Sequence, residues 1–357
     1  MVASSQKIAK QKTVKLAVIG AGAIGQKHAA IAASLPECKL VGICDANSSV
    51  QSLSKQLGTK FYADYEEIIA AEAPDGVIIA TPTELHTPVG VACARRGVHL
   101  FVEKPIASDL PDGRKLVESA RESGVRLLVG HHRRFNPLVE VTRRAIGQGK
   151  IGKLVAVSVL WVILKPADYF QVDWRRQPGG GPVLINMIHE IDNMRYICGE
   201  IKRVCAETSS AVRRFEVEDT AGVSLRFLNG ALGTIIVSDC VPSCWSYEAT
   251  TGENPYYFRT HENCYLFFGT QGSLAFPQLR VVRYANPQQA GWQYPLETEQ
   301  LAVEPRDPLV TQLKHFCRVI TGQEEPRTSG EDALRTLAVV RAVLKSAKSG
   351  QPVELSG

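Results

Sequence analysis

Apolar residues in the first 130 positions come in short runs separated by amphipathic stretches. Val14 to Ile19, Lys39 to Cys44, Lys60 to Ala63, Gly76 to Ala80, Val98 to Glu103 and Arg126 to Val129 have strand length. Most are apolar nearly throughout, as strands buried on both faces are. Helical patterns fill the gaps: the stretch AIGQKHAAIAASL after the first run, a polar stretch ending at Leu57, then Tyr65 to Ala71, Glu84 to Arg96 and Leu110 to Ser123. Six strands joined by helical crossovers predict an α/β domain over residues 13–130, a doubly wound parallel sheet with its ligand crevice beyond the carboxyl ends of the strands.

From about residue 131 the pattern changes. Leu154 to Leu164 is rich in Val, Ile and Trp, and Val223 to Leu228 faces Ala231 to Val237 across Asn229-Gly230, a strong hairpin signal. Cys264 to Phe268 and Ser273 to Phe276 flank Gly269-Thr270-Gln271-Gly272 in the same way. A helix is predicted from Pro182 to Cys198, after Gly179-Gly180-Gly181, and a last one from Glu331 to Lys348, free to pack back near the first domain. Residues 131–357 are thus expected to form an α+β domain on a large, mostly antiparallel open sheet. Such a sheet predicts self-association, because monomers seldom expose broad apolar faces.

Composition narrows the partners. At 357 residues the chain suits two domains, and its net charge of +5 is scattered, with no basic block for nucleic acid. The first dozen residues are polar with three lysines and read as a loose arm, 1–12, without a signal-peptide core. No apolar run is long enough for a bilayer, so no membrane partner is expected. Nine cysteines spread through apparent strands and helices suit reduced thiols and a cytoplasmic protein; Cys240 and Cys244 stand too far from other ligands for a metal site.

The chemistry-bearing residues cluster at the carboxyl ends of the predicted strands. Gly20, Ala21, Gly22, Ala23, Ile24 and Gly25 form G-x-G-x-x-G between the first strand and the first helix. Glycines there permit the tight turn and a close approach of pyrophosphate to the helix N-terminus. Asp45 ends the second strand at the spacing of an acid that accepts both adenosine ribose hydroxyls. Its charge would repel a 2′-phosphate, and Ala46, Asn47 and Ser48 supply no cation to offset it, so NAD is expected over NADP. Thr81-Pro82-Thr83, Glu103-Lys104-Pro105 and His131-His132-Arg133-Arg134 each follow a strand directly.

Taken together, GAGAIG, Asp45, the ATPT at Ala80 to Thr83 with His86, the EKP at Glu103 to Pro105, GHHRRFNP at Gly130 to Pro137, GGGP at Gly179 to Pro182 and HEID at His189 to Asp192 resemble the glucose-fructose oxidoreductase/inositol dehydrogenase (Gfo/Idh/MocA) family. The resemblance runs from about residue 14 to the C-terminus. It implies a Rossmann domain, a nicotinamide-dependent oxidoreductase of a sugar, cyclitol or related polyol, and a homodimer or homotetramer. It also implies that Lys104 lies beside nicotinamide and substrate, with His189 as acid or base. Alcohol oxidation requires a base within hydrogen-bond reach of the hydroxyl oxygen. In the alternative, Lys104 is a solvated strand-end lysine paired with Glu103.

One departure stands out. Family members commonly carry aspartate four residues before the histidine, and here that position is Ile185; the neighbouring Asn186 can face a ligand but brings no charge. Substrate contacts are expected from Arg133, His132, Asn186, Trp174 and Trp161, with a core role as the alternative for Trp161. His86 is expected near the cofactor, with a helix-start role as its alternative, and Asp192 in a structural role. The leading function is an NAD-dependent sugar or polyol dehydrogenase. Two others stay open: a cyclic dihydrodiol dehydrogenase or an oxidoreductase or glycosidase with tightly bound NAD, and a sugar sensor that has lost catalysis.

Overall fold

The structure is a computed structural model that describes residues 13–355; the arm expected at 1–12 lies outside the described residues. The chain forms two compact units, one of residues 13–130 with 309–334, the other of 131–308 with 335–355.

In the first unit β1 (Val14–Ile19), α1 (Ala23–Ser34), β2 (Cys38–Cys44), α2 (Gln51–Gln56), β3 (Lys60–Tyr62), α3 (Tyr65–Glu72), β4 (Gly76–Ile79), α4 (His86–Ala94), β5 (His99–Val102), α5 (Leu110–Glu122) and β6 (Leu127–Val129) alternate. The strands form one parallel sheet in the order β3-β2-β1-β4-β5-β6. The reversal of order at β1 and β4 creates the crevice that such sheets use for ligands. Short polar side chains start the helices as expected of N-caps: Asp64 accepts from the N–H of Glu66, and Asp109 from that of Asp112.

The second unit holds α6 (Pro137–Gly147), β7 (Leu154–Val162), α7 (Pro182–Ile185), α8 (Met187–Cys198), β8 (Ile201–Ser209), β9 (Thr220–Phe227), β10 (Leu232–Ser238), α9 (Tyr247–Thr251), β11 (Tyr265–Gly269), β12 (Ser273–Phe276), β13 (Arg280–Arg283) and β14 (Glu297–Gln300). After α10 (Pro308–Ile320) and α11 (Gly330–Ser349), β15 (Val353–Glu354) closes the chain. The nine-stranded sheet runs β14-β13-β12-β11-β7-β10-β9-β8-β15 and is antiparallel except for the β10–β7 pair. Alternation sends Val157, Val159, Trp161, Ile235, Val237, Tyr265 and Phe267 inward, into a core shared with α8 and α11.

Two features depart from the sequence pattern. The helix predicted over 182–198 is broken at Asn186, whose backbone (φ −110°, ψ −52°) caps α8 and whose C=O accepts the N–H of His189 at 3.0 Å. α10, which the sequence reading left unassigned, buries Leu313, Phe316 and Cys317 in the core of the first unit, where Phe316 meets Phe101 edge-on at 5.6 Å. Burying a phenylalanine stabilises by about 1.5–3 kcal/mol.

Candidate active site

The carboxyl edge of the parallel sheet begins with the glycine turn. Gly20 has φ +88°, and a Cβ there would lie 2.6 Å from the Ala80 backbone. A Cβ on Gly25 would come within 2.0 Å of the Gly20 carbonyl oxygen, so the helix packs on the turn only because both are glycine. Gly22 differs: its backbone is extended and a Cβ would meet nothing within 4 Å. It caps α1 without any side-chain hydrogen bond to the helix's first N–H groups. Ala23 and Ile24 open that helix, whose positive end is a ready anion site.

Asp45 stands beside this turn. One carboxylate oxygen accepts the N–H of Ala21 at 2.6 Å and the other that of Asn47 at 2.8 Å. After β4, Thr81 keeps a buried Oγ1 with no hydrogen-bond partner among the described residues, while Pro82 and Thr83 begin the next turn. Uncapped helix N–H groups, open space over Gly22, a carboxylate at the end of β2 and an orphaned hydroxyl all fit a dinucleotide. Gly20–Gly25 would hold its pyrophosphate, Asp45 its adenosine ribose, and Thr81 a polar group farther along.

Lys104 is half-buried directly after β5, and its bond to Pro105 is cis. Glu103 stands immediately before Lys104. It is buried, accepts from the Lys104 backbone N–H at 3.2 Å, and meets His28 Nε2 of α1 at 2.7 Å. This carboxylate, a candidate for cofactor contact, ties the EKP turn to the first helix. His86, expected near the cofactor, has a buried ring with Nδ1 2.9 Å from the Pro105 carbonyl oxygen and Nε2 3.0 Å from the Thr81 carbonyl oxygen, and in its neutral form it donates to one of the two. Burial pushes its imidazole below the ordinary value.

In the second unit Asn186 and His189 share one helical turn, and the His189 ring meets that of His132 edge-on at 5.4 Å. His132 Nε2 is held by Glu253 at 2.8 Å, and Trp174 stays half exposed. Arg133 and Trp161, both named as candidate substrate contacts with the core role the favoured reading for Trp161, stand among protein partners. Arg133 is 2 % exposed, with Nη1 on Glu190 and Nη2 on Glu248, each at 2.6 Å, and its guanidinium lies 3.8 Å from the Tyr247 ring centroid. Burial disfavours its charge, but the two glutamates overcome that, and the fork is committed to protein carboxylates rather than a ligand. Trp161 is fully buried on the inner face of β7, its indole N–H donating to Glu248 at 2.8 Å. Asp192 has its expected structural role, accepting from both Nε and Nη2 of Arg134 at 2.9 and 2.6 Å.

The sequence reading missed a cluster around Asn186. Lys165, just past β7, is 7 % exposed; its Nζ donates to Asn186 Oδ1 at 2.9 Å and lies 3.3 Å from Asp239. Arg213 Nε reaches the other Asp239 oxygen at 2.9 Å. Positions 165, 186, 213 and 239 lie on separate elements, so no local spacing announces them.

A glycine-turn dinucleotide site, an acid at the end of β2 and a lysine at the end of β5 define a nicotinamide-nucleotide oxidoreductase. Comparison agrees: an oxidoreductase family with an NAD-binding Rossmann fold matches residues 14–131, and that family's C-terminal alpha/beta domain matches 143–355. The chain belongs to the GFO/IDH/MocA oxidoreductase family and is an NAD-dependent oxidoreductase. It is 27% identical over 351 residues to the myo-inositol 2-dehydrogenase of Thermotoga maritima, covering 96% of this chain and 98% of that one. It is 31% identical over 302 residues to the 1,5-anhydro-D-fructose reductase of Ensifer adhaerens, covering 83% and 84%. An oxidoreductase from Agrobacterium radiobacter, crystallised with NAD+, L-tartaric acid and magnesium, shares the fold with a TM-score of 0.82 at 21% identity, covering 96% of this chain and 98% of that one. Among the described residues no helix is long and apolar enough to cross a membrane.

Proposed function

We propose that this protein is a dehydrogenase of a sugar, an inositol or a related polyol, using NAD in preference to NADP, with Lys104 as the residue that takes the proton from the reacting hydroxyl. The observation that carries the reading is the position of Lys104, half-buried at the end of β5 on the same sheet edge as the Gly20–Gly25 turn and Asp45. Bound NAD supplies the hydride acceptor. Lys104, as the neutral amine, would accept the hydroxyl proton as the hydride leaves the same carbon, so that the C–O bond becomes a carbonyl. Glu103, fixed by His28, keeps the backbone of that turn in place. His189 is the second candidate for acid or base, and Asn186, His132 and Trp174 are candidates for substrate contact. The Asp45 carboxylate favours the free ribose hydroxyls of NAD over a 2′-phosphate. A panel of sugars, inositols and sugar acids with NAD, followed by absorbance of NADH, tests the reading. NADH formation on none of them, with nucleotide bound, refutes it.

The exposed face of the large sheet supports a homo-oligomer. Val155 on β7, Leu232 and Ile236 on β10, and Leu266 and Phe268 on β11 are 40–50% exposed and apolar on neighbouring strands. A second copy of the chain is the occupant proposed for this face, as a dimer or tetramer. Light scattering decides it, with Ile236→Lys expected to dissociate the assembly. The nine cysteines, all free, are in keeping with a reducing compartment such as the cytoplasm.

A further inference from the structure

Lys165 fixes which way the Asn186 amide faces. An amide's oxygen and nitrogen are easily exchanged in assignment, but an ammonium can only donate, so the atom facing Lys165 Nζ at 2.9 Å must be the carbonyl oxygen. The Asn186 NH2 then points away from Lys165, and it donates to no protein acceptor among the described residues.

Three cations stand near that amide. Lys165 and Arg213 share the single Asp239 carboxylate. Arg175 stacks on Tyr169, at 4.0 Å from the ring centroid, and Lys165 Nζ lies 4.7 Å from the same centroid. One Arg175 Nη donates to the Tyr169 carbonyl at 2.7 Å, while its buried Nε has no hydrogen-bond partner among the described residues. Glu218 accepts the N–H of Val183 at 3.0 Å, and burial pushes its carboxyl up. Burial likewise holds the Lys165 ammonium below its ordinary value, with Asp239 opposing and Arg213 and Arg175 adding to the shift. Asp219, whose Oδ2 accepts the backbone N–H of Arg213 at 2.9 Å, is a second carboxylate beside Asp239, so of the three cations Arg175 is the one that faces no carboxylate among the described residues and is left for an anionic ligand.

We propose that Asn186 and Arg175 form a subsite for a carboxylate of the substrate, so that the polyol oxidised here is a sugar acid, and that Lys165 is the positioning residue that turns the Asn186 amide toward it. The inference rests on the dehydrogenase reading and narrows its substrate class. Trp174, whose ring lies 5.5 Å from the Arg175 guanidinium, borders the same segment.

The test is calorimetric titration of the NAD-loaded protein with D-glucuronate, D-galacturonate and D-gluconate, each paired with its neutral counterpart D-glucose, D-galactose or D-glucitol, with NADH formation followed in parallel. At least one acid is expected to bind at least about tenfold more tightly than its partner, a difference of about 1.4 kcal/mol. Lys165→Met should remove that preference while NAD affinity is unchanged, Lys165→Arg should restore part of it, and Asn186→Asp should reverse it toward the neutral sugar. Equal binding of acids and neutral partners by the unaltered protein, no binding of any acid, or a Lys165→Met variant that weakens both members of a pair alike overturns the proposal. The two readings fail separately. Neutral sugars oxidised without acid preference sink the carboxylate subsite alone, and acid binding without NADH formation sinks the dehydrogenase reading alone.

Discussion

The carboxylate of Asp45 accepts the backbone N–H of Ala21 at 2.6 Å, so the acid that ends β2 also braces the glycine turn that ends β1. Charge and scaffolding therefore reside in one side chain, and a substitution must separate them. Asp45→Asn retains a side-chain oxygen able to accept from Ala21 while removing the charge that opposes a 2′-phosphate. The ratio of kcat/KM for NADP to that for NAD is expected to rise at least about tenfold, roughly 1.4 kcal/mol of discrimination. An unchanged ratio would show that Asp45 does not set the preference.

Gly22 and Gly25 respond oppositely to the same methyl group. Gly22→Ala meets open space on an extended backbone, so the melting temperature should hold while NAD affinity falls at least about tenfold as the methyl enters the pyrophosphate's place. Gly25→Ala drives a Cβ into the Gly20 carbonyl and should destabilise the first unit by about 1–3 kcal/mol before any ligand is added. Thermal melts with and without NAD tell the two apart.

Lys104→Ala should lower kcat by about 10²–10⁴-fold, the usual range for loss of a positioned acid or base, with NAD affinity retained. Stopped-flow single turnovers give the chemical step directly. Near-normal turnover in this variant would remove Lys104 from the mechanism.

The fold of the first unit was largely legible because each strand is buried on both faces and each helix has an apolar stripe, and these are local properties of the chain. Its glycine turn and Asp45 were legible for the same reason, being fixed to strand ends. The roles of Glu103, His86, Arg133 and Trp161 were not. Each has partners that no local spacing announces, such as the Thr81 carbonyl for His86, 5 positions away, and Glu248 for Arg133, 115 positions away. A sequence motif marks where such a residue stands but not which group answers it.

Acid should weaken the second unit in a definite window. Burial would raise the Asp192 carboxyl, but the facing charges of His131 and Arg134 overcome it and hold the group at about 2 rather than 3.8. Glu253, also buried, is brought from 4.5 to about 2 by His132 and by hydrogen bonds from His132 and Asn136. Both folded values are depressed, so the stability they contribute is present above the ordinary carboxylate range and is lost as pH falls through it toward about 2. The upper figure is roughly 2–3 kcal/mol for each group. Urea unfolding at steps from about pH 6 to about pH 3 should show a falling midpoint. Asp192→Asn should flatten that fall, because it removes one of the two carboxylates whose depressed values produce it. A midpoint independent of pH in the parent protein would contradict this account.

By itself the sequence determined the two-part architecture, the dinucleotide turn, the carboxylate beside it and the lysine after β5, because hydrophobic periodicity and turn chemistry act between near neighbours. Only the tertiary structure decided that α10 returns to the first unit, that the helix predicted over 182–198 breaks at Asn186, and that Lys165, Asp239 and Arg213 gather around that break. Those outcomes depend on which buried charge finds which partner. Desolvation sets the cost of leaving one unpaired, and it acts on distance in space without regard to distance along the chain.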